Sequence, residues 1–114
     1  MSREKRRSPR VYMTIALTLQ INGELIRNAR CCNLSSGGMY IAVDNLPEPG
    51  TAGTISLTKK CDDSLISFTA GILVRWQRQE IPVGIGAEFV NIDPANQQNL
   101  QRILSFQQSV ASVE

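Results

Sequence analysis

The chain has 114 residues, 42% of them hydrophobic and 19% charged, with a net charge of +2, enough for one domain with its own core. It holds no histidine and an odd three cysteines, which argues against a metal centre and a disulfide framework and fits reduced thiols in the cytoplasm. With no run of about 18 apolar residues and no apolar segment before Val11, neither a membrane segment nor a secretion signal is expected.

Residues 1–10 form a basic arm. Arg3, Lys5, Arg6, Arg7 and Arg10 outweigh Glu4, so the arm carries +4 and the remaining body −2. Charge gathered in one arm suits a local anion clamp better than a surface that coats nucleic acid. Pro9 disfavours helix at Ser8.

From Val11 to Ile21 every second residue is apolar, the pattern of a strand with one buried face. Asn22-Gly23 follows, the strongest short hairpin signal. A second strand over 24–32 has a less regular pattern and places Arg27 and Arg30 near the ligand side. Asn33-Leu34-Ser35-Ser36-Gly37-Gly38 then reads as a tight connection between two strands, since apolar runs flank it. Its carboxamide, hydroxyls and glycines suit either an ordinary turn or a binding surface.

A third strand covers 39–43, and Pro47, Pro49 and Gly50 mark a loop after it. A fourth strand spans 54–59, followed by a polar turn over 60–64. Ile66, Phe68, Ala70, Ile72, Val74 and Trp76 alternate through a long fifth strand, with Gly71 at a bulge or bend. Residues 79–82 turn, and a sixth strand covers 83–90. Asp93-Pro94 is a helix start, an N-cap followed by Pro at the first helical position. Leu100, Ile103, Leu104 and Phe106 make the apolar stripe, and 110–114 are expected to fray. The fold class is therefore all-β: a six-stranded antiparallel barrel over 11–91 with one C-terminal α-helix over 92–108. Closure removes exposed strand edges.

Nothing in the chain reads as a catalytic group. No Gly-x-Ser-x-Gly is present, Asp62-Asp63 lies in a turn beside Lys59-Lys60, and Cys31 and Cys32 have no base nearby in sequence. The arm is more informative. Arginine grips phosphate with a planar fork, stacks on bases and bonds guanine O6 and N7 together. Arg6 and Arg10 provide two such forks, four residues apart, directly before the first strand.

Arg6-x-x-x-Arg10 before a strand, then Asn33-x-Ser35-x-x-Gly38 after the next, resembles the PilZ domain family. Ile72-Leu73-Val74-Arg75-Trp76 and Ile85-Gly86-Ala87-Glu88-Phe89 resemble that family's later strands. The resemblance implies a single domain over about 5–108, a PilZ-type six-stranded barrel with a C-terminal helix. It implies a bacterial, cytoplasmic, non-enzymatic receptor for cyclic di-GMP, signalling by ligand-induced ordering of its arm. Carried over, Arg6 and Arg10 grip phosphate and the guanine Hoogsteen edge, and Arg7 adds a phosphate contact. Asn33 and Ser35 meet guanine or backbone, and Gly38 leaves room for the turn. Lys5 stands where a basic residue accompanies binding of an intercalated ligand dimer. Asn33 replaces the commoner Asp and offers one acceptor and a donor in place of two acceptor oxygens. A second frame, Arg3-x-x-x-Arg7, is further from the barrel. No cofactor or metal is expected. The partners are cyclic di-GMP and an unidentified downstream protein, the chain being a monomer or weak homodimer. Two other readings remain: a basic-armed barrel that binds nucleic acid, and a degenerate PilZ-like adaptor that binds no nucleotide. Few aromatic residues and the negative body argue against the first. Retention of both motifs argues against the second.

Overall fold

In the computed structural model, which describes residues 11–113, the period-two pattern becomes strand β1 (Val11–Ile21). Leu17, Leu19 and Ile21 point inward and are buried, while Tyr12, Thr14, Ala16 and Gln20 face solvent. Asn22 and Gly23, with φ of 54° and 76°, turn the chain into β2 (Glu24–Leu34). β3 (Gly38–Ala42), β4 (Ala52–Cys61), β5 (Ser64–Arg78) and β6 (Gly84–Asn91) follow, then helix α1 (Pro94–Val113).

The strands close into an antiparallel barrel in the order β1-β2-β3-β6-β5-β4. Its interior is filled by the inward half of each strand, with Phe68, Ile41, Ile55, Ile72 and Ile85 almost fully buried. Each such side chain contributes about 1.5–3 kcal/mol. Phe89 meets Phe68 edge-on, with ring centroids 5.9 Å apart. Gln77 donates to the carbonyls of Leu46 and Pro47 at 3.4 and 3.0 Å, which pins the β3–β4 connection.

The first half of β5 extends beyond its pairing with β6. Residues 71–78 pair with β6, but 64–70 pair only with β4. Helix α1 covers this edge. The Asn96 carboxamide oxygen accepts from Thr69 N at 2.9 Å, and Asn99 Nδ2 donates to Ser67 O at 2.8 Å. Two carboxamides thus stand in for a missing strand at Thr69 N and Ser67 O, which blunts the edge. Leu100, Ile103 and Leu104 enter the core beneath them. The helix begins where the sequence indicates. Asp93 Oδ1 accepts from Asn96 N at 2.9 Å, and Pro94 takes the first helical position. It runs to Val113 rather than ending at 108, since neither Gly nor Pro occurs after Pro94.

Most strands are one or two residues longer at an end than their apolar patterns. Backbone pairing continues past the last buried side chain, as at Asn33, which pairs with both Tyr12 and Tyr40. The connection expected over 33–38 is therefore shorter, because Asn33, Leu34 and Gly38 belong to strands. Cys31 and Cys61 are buried and Cys32 is half-buried, all three as free thiols. Burial, and then Cys32 beside it, push the Cys31 thiol up to about 12. Burial also raises Cys61. Neither is a nucleophile in neutral solution.

If the helix both fills the core and caps the edge, two classes of variant separate in urea unfolding. Leu100→Ala should cost about 2–5 kcal/mol. Asn96→Ala and Asn99→Ala should cost about 0.5–1.5 kcal/mol each, by loss of one edge bond. Carboxamide variants as stable as the parent would mean that α1 holds the edge by packing alone.

Candidate functional site

β2 hands over to β3 through a three-residue connection, Ser35–Gly37, held by its own polar groups. Ser35 N donates to Gly38 O at 2.9 Å, and Gly37 N donates to Ser35 Oγ at 3.3 Å. Phe89 N donates to Gly37 O at 2.9 Å and ties the connection to β6. Gly38 does not have a positive φ. Its glycine is required by close approach: a Cβ there would lie 2.2 Å from Ala87 O.

Strand register assembles the rest. Tyr12, Asn33, Tyr40, Gly86 and Trp76 are successive cross-strand partners on β1, β2, β3, β6 and β5. All five are on the outer face. Trp76 keeps phase with inward Val74 in the sequence, but a register shift between them turns it outward, 45% exposed. It lies across Gly86, where a Cβ would come within 2.1 Å of Trp76 Cε2. It stacks on Tyr40, ring centroids 5.6 Å apart and planes at 20°. The Tyr40 hydroxyl donates to Pro82 O. Burial holds that hydroxyl above its usual range, so it remains a donor in neutral solution.

Asn33, Ser35, Gly38, Tyr40 and Trp76 line one cleft of about 190 Å³. Its far wall is an ion pair, Arg75 Nη1 to Glu88 Oε1 at 3.4 Å. The cleft thus offers a carboxamide, a hydroxyl, a flat indole and a carboxylate, a set that suits a heteroaromatic base with polar edges. Among the described residues no group of His, Cys, Asp or Glu is placed to hold a metal ion.

The sequence-predicted residues Asn33, Ser35 and Gly38 are brought together here. Arg6, Arg7 and Arg10, like Lys5, lie outside the described residues; the described chain begins at Val11, cross-strand from Leu34. Arg27 and Arg30 are not in this cleft, against the expectation for β2. Arg30 lines a separate cleft of about 540 Å³, with Ala42 and Ile81–Val83. Tyr40 and Glu88 join the site without having been singled out. Their signal is register alone, since each is the cross-strand partner of a site residue: Tyr40 of Asn33, Glu88 of Gly38.

The family model for the PilZ domain matches residues 4–106. Among solved structures, the chain is similar to the Bacillus subtilis inhibitor of motility MotI/DgrA, with a TM-score of 0.75 and 20% identity over 93% of this chain and 52% of that one. It is also similar to MrkH, described as a c-di-GMP-dependent transcription regulatory factor, with a TM-score of 0.59 and 15% identity over 88% of this chain and 49% of the other. At these identities the likeness is one of fold, and the chain spans about half the length of either. No curated protein matches.

The two glycines that admit this geometry should be the least replaceable surface positions. Gly38→Ala and Gly86→Ala should each destabilise the fold by about 1–3 kcal/mol, as overpacking does. Gly86→Ala should in addition alter the near-ultraviolet circular dichroism of Trp76 by lifting it from Tyr40. An unchanged tryptophan signal in that variant would contradict the stacked arrangement.

Proposed function

The chain belongs to the PilZ domain family, and we propose that it is a bacterial, cytoplasmic receptor for cyclic di-GMP that binds without turning the ligand over. One observation carries this reading: Asn33, Ser35 and Gly38 line the same outer cleft as the Tyr40–Trp76 stack. Such a cleft can hold a purine by its flat face and by its edge at once. A base stacked on an aromatic side chain gains about 1–3 kcal/mol. Asn33 and Ser35 add directional bonds that a flat platform lacks.

The barrel wall supplies no free cation in that cleft, because Arg75 is paired with Glu88. The phosphates of a dianionic ligand therefore need charge from elsewhere. The arm carries it, and Arg10 directly precedes Val11, which is paired to Leu34 beside Asn33. In this reading Arg6 and Arg10 close on the ligand from the arm, Arg7 adds a phosphate contact, and the ordering of the arm is the signal a downstream protein reads. No helix among the described residues is long and apolar enough to cross a membrane.

Calorimetric titration with cyclic di-GMP tests the reading. The parent should bind with an affinity that weakens as salt rises, since charge-assisted phosphate contacts are screened. Arg6→Ala and Arg10→Ala should each lower affinity at least about tenfold, or about 1.4 kcal/mol. Arg3→Ala should have little effect, since ordering residues so far out costs on the order of 1–2 kcal/mol each. Asn33→Ala and Ser35→Ala should weaken binding while the fold persists. No heat at sub-millimolar ligand, or hydrolysis of the ligand, would refute the proposal; a loss at Arg3 with none at Arg6 would shift the clamp to the outer pair.

A further inference from the structure

Among the described residues the cleft has a single carboxylate in its wall, that of Glu88, and the two motifs assign it no part. Glu88 is the cross-strand partner of Gly38. Because Gly38 has no side chain, nothing from β3 screens the carboxylate at that position. It lies two residues along β6 from Gly86, on the same face, which places it about 7 Å along the strand from the point where Trp76 crosses. A purine stacked on Trp76 therefore has Glu88 near its edge.

Guanine differs from other purines along that edge. It presents N1–H and the N2 amine as two adjacent donors. A carboxylate, with two acceptor oxygens, meets both. Asn33 cannot, since its carboxamide has one acceptor and one donor group. Among the described residues the Glu88 carboxylate accepts no hydrogen bond, its contact being the ion pair with Arg75 at 3.4 Å. Arg75 also removes the obvious objection, because it offsets a negative charge that would otherwise repel a dianion.

We propose that Glu88 is the residue that selects guanine, by accepting from N1–H and the N2 amine of the base stacked on Trp76. Arg75 is a positioning residue that holds the carboxylate and balances its charge. This rests on the cleft being the cyclic di-GMP site.

The test compares cyclic di-GMP with cyclic di-IMP, which keeps N1–H and O6 but lacks the N2 amine, on the full chain by calorimetry. The parent should prefer cyclic di-GMP by about tenfold or more, as expected when a site built to bond a group is denied it. Glu88→Gln, which keeps shape and removes one acceptor, should lower cyclic di-GMP affinity about tenfold and shrink the preference to within about threefold. Arg75→Ala, which frees the carboxylate, should weaken cyclic di-GMP more than cyclic di-IMP and so shrink the preference in the same direction, by less than Glu88→Gln does. A Glu88→Gln variant that folds, binds and keeps the parental preference overturns the assignment, even if its affinity has fallen. A parent that binds neither dinucleotide overturns the cyclic di-GMP reading itself, and this assignment with it.

Discussion

β3 and β6 approach each other with Gly38 opposite Glu88 and Tyr40 opposite Gly86, and the outer face of the barrel is arranged around that pairing. Two positions without a side chain let a backbone carbonyl sit against Gly38 and an indole lie flat over Gly86. Either Cβ would have to displace Ala87 O or the Trp76 ring. The register also sets which residues become neighbours. A slip by one residue would send Tyr40 inward and bring Met39 to the surface. The core guards against this, because Met39 and Ile41 are buried on the opposite face. Packing inside the barrel and geometry outside it are thus one constraint.

The six strands and the helix were legible because each buries one face, and a buried face leaves a periodic trace. Leu17, Leu19 and Ile21, or Ile66, Phe68 and Ala70, announce their strands without any tertiary information. Strand ends were less legible, since Asn33 and Arg78 pair through backbone groups that no side-chain pattern records. Part of the site could be read too. Asn33, Ser35 and Gly38 are close in sequence, and a short connection keeps them close in space. The alternation groups Trp76 with inward Val74, because the shift that turns it outward follows from no residue type at 75 or 76. Tyr40 and Glu88 were beyond reach, as their membership depends on strands far apart in the chain coming into register.

The division of labour between barrel and arm follows from charge. The barrel wall offers flat and directional groups, and Arg75, the one cation among the described residues of the cleft, is paired with Glu88. In the proposed reading, phosphate recognition falls to the arginines of residues 1–10. Under that proposal, occupancy is coupled to a charged segment, which is a simple route from ligand to protein partner. The same proposal keeps recognition of the base on strands, where geometry is held by pairing on both sides.

The most direct measurement is a titration followed by two-dimensional NMR of the backbone amides and the indole N–H, with cyclic di-GMP as ligand. The account predicts saturable shifts centred on Asn33, Ser35, Gly37, Gly38 and Gly86, together with the Trp76 indole. Shifts centred instead on Asn28, Asp44 and Ile81, which line the larger cleft beside β2, would place the ligand elsewhere and contradict it.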